Sequence, residues 1–148
     1  MRARVLVSGL VLGLLIGTGA LAAEFKVNMV NKDAEGRAMQ FEPAFLKVAV
    51  GDTITFVATD KGHDSESLAG GIPEGTEGWK GKINQDVSVT VTAEGLYAYK
   101  CTPHVVLGMV GLIQVGDSTA NADAITALKL PSKAKTRMAE LLEQAEED

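Results

Sequence analysis

The chain has 148 residues, 46% of them apolar and 22% charged, the balance of one globular domain rather than of a disordered chain. Its net charge of −5 opposes a general nucleic-acid binder, which carries a basic excess. One cysteine and two histidines exclude an intrachain disulfide framework and a zinc finger built from several such ligands.

Residues 1–22 read as an export signal. Arg2 and Arg4 form a positive start, Val5 to Leu15 is almost wholly apolar, and Ala20-Leu21-Ala22 has the small-x-small pattern that precedes signal-peptidase cleavage. The apolar run is shorter than the ~20 residues a spanning helix needs, which favours cleavage near Ala22 over a retained membrane anchor. Removing those 22 residues, with Arg2 and Arg4 and no acid, leaves 126 residues and a net charge of −7. The mature protein is expected to be exported, periplasmic and free of the membrane. An unpaired cysteine is a liability there unless something occupies it.

In the mature chain, Phe25, Val27 and Met29 alternate with polar residues, the period of a half-buried strand. Asn31 to Gly36 is polar and turn-like. Phe41-Glu42-Pro43 leads into a β-rich run, Phe45 to Val50, closed by Gly51-Asp52, and Thr53 to Ala58 is a second such run. Asp60 to Gly75 reads mostly as loop. Asp86 to Thr92 alternates Val87, Val89 and Val91; Leu96 to Lys100 and Val110 to Val115 complete the strands. Short strands between Gly, Pro and Asp turns predict a β-sandwich or barrel. After Gly116 the period changes: Ala122 to Leu130 fits a short helix, Pro131 breaks it, and Ser132 can cap a second. In that second helix Ala134, Met138, Leu141, Leu142 and Ala145 form an apolar stripe, leaving Lys133, Arg137, Glu140 and Glu143 outside. The expected division is an export segment (1–22), a β-sandwich (23–117) and a helical extension packed on it (118–148).

Chemistry concentrates in one segment, Cys101-Thr102-Pro103-His104-Val105-Val106-Leu107-Gly108-Met109, with the spacing Cys-x2-His-x4-Met. It joins two predicted strands, so its side chains can converge at small loop entropy. Pro103 stiffens the loop and Gly108 permits an unusual turn. His63, the other histidine, follows the strand Thr53–Ala58. Thiolate and thioether are soft donors that favour Cu(I), and imidazole suits either copper state. A His2Cys plane with a long axial Met describes a blue-copper electron-transfer centre. Zinc is the competing metal, although a thioether serves it poorly. A Cys–His nucleophile is the catalytic alternative, opposed by the spacing of Cys101 and His104 and by the lack of a Gly-rich oxyanion segment or helix after the cysteine. A copper chaperone or storage protein is a further alternative, but it would want an exposed, Met- or Cys-rich site.

The run Gly95-Leu96-Tyr97-Ala98-Tyr99-Lys100-Cys101-Thr102-Pro103-His104, the Met109 spacing and Val110-Gly111-Leu112-Ile113-Gln114-Val115-Gly116-Asp117 resemble the cupredoxins, and among them the pseudoazurins. Phe41-Glu42-Pro43-Ala44, Val50-Gly51-Asp52-Thr53, Asp60-Lys61-Gly62-His63 and Lys82-Ile83-Asn84 extend the likeness over nearly all of the mature chain. The resemblance implies a mainly β fold, an eight-stranded Greek-key sandwich with two C-terminal helices. It implies one copper ion cycling between Cu(I) and Cu(II) on His63, Cys101, His104 and Met109. The implied role is non-enzymatic: a periplasmic one-electron carrier, passing electrons to copper nitrite reductase or another denitrification enzyme and receiving them from cytochromes.

Three positions depart from the pseudoazurin pattern. Asp64 stands where Asn is usual after the first copper histidine. Its N–H can still donate to the thiolate, but its charge is expected to stabilise Cu(II) and lower the reduction potential. Val105 and Leu107 replace an aromatic residue and a Met. His104 is expected to be the electron port, flanked by apolar Pro103, Val105 and Leu107. Lys61, Lys80, Lys82 and Lys100 are the candidates for steering a partner, among eight acids between residues 50 and 113.

Overall fold

Eight strands form two four-stranded sheets in a computed structural model that describes residues 19–147. The positive start and apolar run of the expected export signal fall on residues 1–18, outside the described residues. The strands are β1 (Glu24–Lys32), β2 (Ala38–Glu42), β3 (Phe45–Val48), β4 (Thr53–Val57), β5 (Glu66–Ser67), β6 (Val87–Thr90), β7 (Gly95–Lys100) and β8 (Val110–Val115). One sheet runs β2-β1-β4-β6 and the other β3-β8-β7-β5. β1 pairs with β4 in parallel and β3 with β8 in parallel, so the chain crosses between the sheets as a Greek-key sandwich must. Helices α1 (Ala122–Thr126) and α2 (Ser132–Glu147) follow.

The alternating strands bury one face. Val27 and Met29 of β1, Phe41 of β2 and Ile54 and Phe56 of β4 point into the sandwich. They meet Tyr97 and Tyr99 of β7 and Ile113 and Val115 of β8. Phe41, Phe56 and Tyr99 pack edge to face with centroids 4.8–6.1 Å apart, and Trp79 stacks on Phe56. β7 and β8 are buried on both faces. Their other sides, Leu96, Ala98, Val110 and Leu112, form a second core with Ile125 and the α2 stripe of Ala134, Met138, Leu141, Leu142 and Ala145. Double-sided burial explains why these two strands read as continuous apolar runs rather than alternating ones.

Four details differ from the sequence expectations. β2 and the two-residue β5 are strands within stretches read as a lead-in and a loop. Met39 at the bend of β2 has φ of 53°, a backbone state outside the strand region that obscures its pattern. α1 stops at Thr126, and Leu128 and Leu130 pack on the second core from a non-helical segment. Arg137 is not on the outer face: its side chain is only 12% exposed, reaching Glu140 at 2.9 Å while its stem lies in a groove with Phe41, Pro43 and Leu141. A 3-10 helix, Thr102–Leu107, does follow Cys101.

Gly111 of β8 lies opposite Tyr99 of β7, and a Cβ on Gly111 would fall within the Tyr99 ring. That ring is fully buried at the centre of the aromatic group, so it has no room to yield. Gly111→Ala is therefore expected to destabilise the protein by about 1–3 kcal/mol, the usual cost of overpacking, read as a lowered denaturant midpoint at unchanged slope.

Candidate metal centre

The inward alternation of β7 runs Tyr97, Tyr99, Cys101, so the thiol continues the line of buried side chains into the end of the sandwich. Immediately after it the chain turns into the 3-10 helix. Pro103 sits in its first turn, and Gly108, with φ of 91°, ends it in the left-handed conformation that glycine adopts without strain. This single turn carries His104. The Cys101 N–H donates to Met109 O at 3.0 Å and the Met109 N–H to His104 O at 3.2 Å, so Met109 closes the loop beside Cys101 and joins the same buried cluster.

His63 arrives from the other sheet, on the loop after β4. Cys101 Sγ lies 3.6 Å from His63 Nδ1 and 3.5 Å from His104 Nδ1, and the two Nδ1 atoms are 3.1 Å apart. A point equidistant from the three atoms lies roughly 2 Å from each, near the length of metal–nitrogen and metal–thiolate bonds. Asn31 Oδ1 lies 2.8 Å from His63 Nε2, where it accepts the Nε2–H and leaves the lone pair on Nδ1, facing the centre. Two ring nitrogens and a sulfur aimed at one point suit a cation better than one another. The donor set of imidazoles and thiolate, with a thioether next in the loop, fits copper.

Burial sets the protonation of the empty-handed groups. It pushes the Cys101 thiol up to about 11, against a hydrogen bond from the Asp64 N–H that favours the thiolate. Burial also lowers His63, and the neighbouring His104 lowers it further. Without a cation the site therefore holds a neutral thiol and neutral imidazole. That opposes a Cys–His nucleophile, which needs a depressed thiol pKa. The His104 N–H in the short helix also favours the thiolate, but burial outweighs it.

Hydrogen bonds tie the two loops together. The Thr102 N–H donates to Asp64 Oδ1 at 2.6 Å, and the Thr102 hydroxyl donates to Glu66 at 3.0 Å. Behind His63, the Gly62 N–H donates to Asn84 Oδ1 at 2.7 Å and the Asn84 N–H to His63 O at 3.0 Å. The Asn31 N–H in turn donates to Asp60 Oδ2 at 2.7 Å, fixing the residue that fixes His63. Asn31, Asn84 and Glu66 were not among the sequence candidates. Their partners lie 22 to 36 residues away, and no local pattern announces such contacts.

His63 and Cys101 are fully buried, whereas His104 is half-buried. Around it Pro103 is exposed, Val105 is half-buried and Leu107 is 46% exposed. Val106, which sequence reasoning did not single out, is 59% exposed and belongs to the same apolar patch. Lys61, Lys80 and Lys82 are exposed. Lys100 is half-buried with Nζ 4.0 Å from Glu66, and the Lys80 backbone pairs with that of Glu66 in an isolated antiparallel bridge.

Comparison with known proteins agrees with this geometry. The family model "Copper binding proteins, plastocyanin/azurin family" matches residues 27–116. The chain is 50% identical to a pseudoazurin of Paracoccus pantotrophus over 125 residues, covering 84% of this chain and 86% of that one. The solved structure of a pseudoazurin from Sinorhizobium meliloti superimposes with a TM-score of 0.81 at 48% identity, covering 84% of this chain and 97% of the other. One from Hyphomicrobium denitrificans gives 0.77 at 43% identity, covering 82% and 97%. The chain thus belongs to the plastocyanin/azurin family of copper-binding proteins and, on its pseudoazurin branch, is a blue copper electron carrier rather than an enzyme.

Proposed function

We propose that His63 Nδ1, Cys101 Sγ and His104 Nδ1 hold a single copper ion, with the Met109 thioether as a weaker fourth donor, and that the protein carries electrons between redox proteins of the periplasm. The observation behind this reading is the triangle of two Nδ1 atoms and one Sγ, with sides of 3.1 to 3.6 Å, assembled from loops nearly forty residues apart. When bound, copper supplies one-electron redox chemistry by alternating between Cu(I) and Cu(II).

The chain's own part is to keep the donors still. Asn31 orients His63, Asp64 ties the His63 loop to Thr102, and the 3-10 helix fixes His104 relative to Cys101. Donors held in this way need little rearrangement when the charge at the centre changes. Packing over Cys101 and His63 excludes water, which favours a resident ion over an exchangeable one and opposes the chaperone reading. His104 is the edge nearest solvent and serves as the electron port. The patch of Pro103, Val105, Val106 and Leu107 gives a partner an apolar surface for close, transient docking. Lys61, Lys80 and Lys82 steer the encounter, and Lys100 contributes less because Glu66 offsets it. The acceptor is copper nitrite reductase or another denitrification reductase, and the donor a cytochrome. Residues 1–22 direct export and are removed.

Three measurements test these assignments. The copper-loaded protein should show an intense thiolate-to-copper visible band and a narrow-hyperfine EPR signal, both lost in Cys101→Ser; a copper-loaded protein without the band would point to storage or delivery instead. Asp64→Asn keeps an acceptor for the Thr102 N–H but removes a charge beside the thiolate, so redox titration should find the potential raised by on the order of 60 mV, the one-electron equivalent of a tenfold change in equilibrium constant. Electron transfer to an acidic partner should slow as salt rises, and Lys61→Gln with Lys82→Gln should flatten that dependence; a flat profile in the parent protein leaves the apolar patch alone responsible.

A further inference from the structure

Asp52, in the turn between β3 and β4, is a buried carboxylate with an unusual set of partners. It is 6% exposed, yet no Lys or Arg nitrogen among the described residues lies within 4.0 Å of it. Its Oδ2 accepts the Ala49 N–H at 2.8 Å, which closes the turn. Its Oδ1 accepts the Ala23 N–H, also at 2.8 Å, from a residue 29 positions away. These two hydrogen bonds hold its carboxyl below the usual carboxylate range, so it is charged at neutral pH. The two N–H donors already stabilise that charge, and a cationic donor in place of the Ala23 amide would strengthen the bond further.

Ala23 is the residue that follows Ala20-Leu21-Ala22. Residues 20–23 are exposed, Leu21 at 94%, so nothing in the fold depends on burying the segment ahead of Ala23. The atom that Asp52 grips is the nitrogen of the Ala22–Ala23 bond. Hydrolysis adds water across the Ala22–Ala23 C–N bond: Ala22 keeps the carbonyl carbon and leaves as a carboxylate. The freed Ala23 nitrogen takes up a proton and becomes an α-ammonium. We propose that this cleavage completes an ion pair between the new α-ammonium of Ala23 and the Asp52 carboxylate, which pins the first strand of the mature protein to the β3–β4 turn. The placement suits this role, since the Ala23 carbonyl already accepts the Thr53 N–H at 3.0 Å and Glu24 begins the parallel β1–β4 ladder opposite Thr53. Asp52 is thereby a receptor for a chain terminus, a role separate from the metal centre. The inference rests on the export reading of residues 1–22.

The test is made on the full chain expressed through an export pathway and isolated in its reduced, copper-bound form. Intact mass should report a chain of residues 23–148. Acylation of its α-amine at neutral pH, followed on the N-terminal peptide by mass spectrometry, should be about tenfold slower than in Asp52→Asn, as a pKa raised by one unit requires. Because Asp52→Asn also touches the Ala49 N–H, a second variant keeps Asp52 and carries Gly-Ser ahead of Ala23. Its displaced amine should label at the unpaired rate and its thermal midpoint should be lower than that of the chain starting at Ala23. Equal labelling across the three proteins, or equal midpoints for the two termini, overturns the ion pair. An uncut chain or a different first residue overturns the export reading instead, and the pairing is then read on a chain released at Ala23 by a site-specific protease.

Discussion

The β7–β8 hairpin is held on both faces, and the metal centre depends on that constraint. Toward the sandwich it presents Tyr97, Tyr99, Cys101, Ile113 and Val115; toward the helices it presents Leu96, Ala98, Val110 and Leu112. A strand pair clamped in this way cannot slip its register, because a one-residue shift would exchange the two sets. The loop that joins the pair inherits the rigidity. Cys101 is the last inward residue of β7, Met109 stands just before β8, and His104 rides on the helical turn between them. Three of the four candidate donors are therefore placed by one hairpin, and only His63 has to be brought from elsewhere.

Bringing His63 takes a chain of polar contacts rather than apolar packing. Asp60 holds Asn31, Asn31 holds His63, and Asn84 braces both the N–H of Gly62 and the carbonyl of His63. The links join the end of β1 to the loops after β4 and before β6, so the geometry of the site is set by that end of the sheet. The arrangement stores a clear bias. A histidine that resists protonation keeps its lone pair free for a metal cation, whereas a thiol pushed up to about 11 holds its proton until a cation displaces it. Removing the proton from Cys101 is a cost of metal binding, and the Asp64 N–H aimed at the sulfur reduces it.

Much of this was legible in the amino-acid sequence, unevenly and for physical reasons. β1, β4 and β6 show period-two alternation because one of their faces is solvated, and β7 and β8 show as apolar runs because neither is. β2 was hidden by the left-handed residue Met39, and β5 is two residues long, too short for any period. The Cys101–Met109 loop could be read because its donors are contiguous. His63 could be found only as the remaining histidine and through the Asp60–His63 resemblance, and Asn31 not at all, since the polar run from Asn31 to Gly36 reads as a turn whereas the structure carries β1 on to Lys32. Arg137 misled for another reason: charge placed it outside, while its long aliphatic stem covers apolar surface beside Phe41 and Leu141.

The helical tail bears on the site more directly than a cover over the sandwich would. Gly108, which ends the ligand-bearing turn, lies against the backbone of Lys133 at the start of α2; a Cβ there would sit 3.4 Å from the Lys133 carbonyl oxygen. Glycine is favoured at that position by a φ of 91°, while a Cβ would only come into van der Waals contact with the helix. Leu141 and Met138 fix α2 on the second core, and its first turn then backs the segment from His104 to Met109. In a sandwich without such a tail, the far side of this turn would face water and be free to breathe. Here the outer support allows Val106 and Leu107 to stay exposed without loosening His104, so the same turn presents an apolar surface and keeps a rigid donor beneath it.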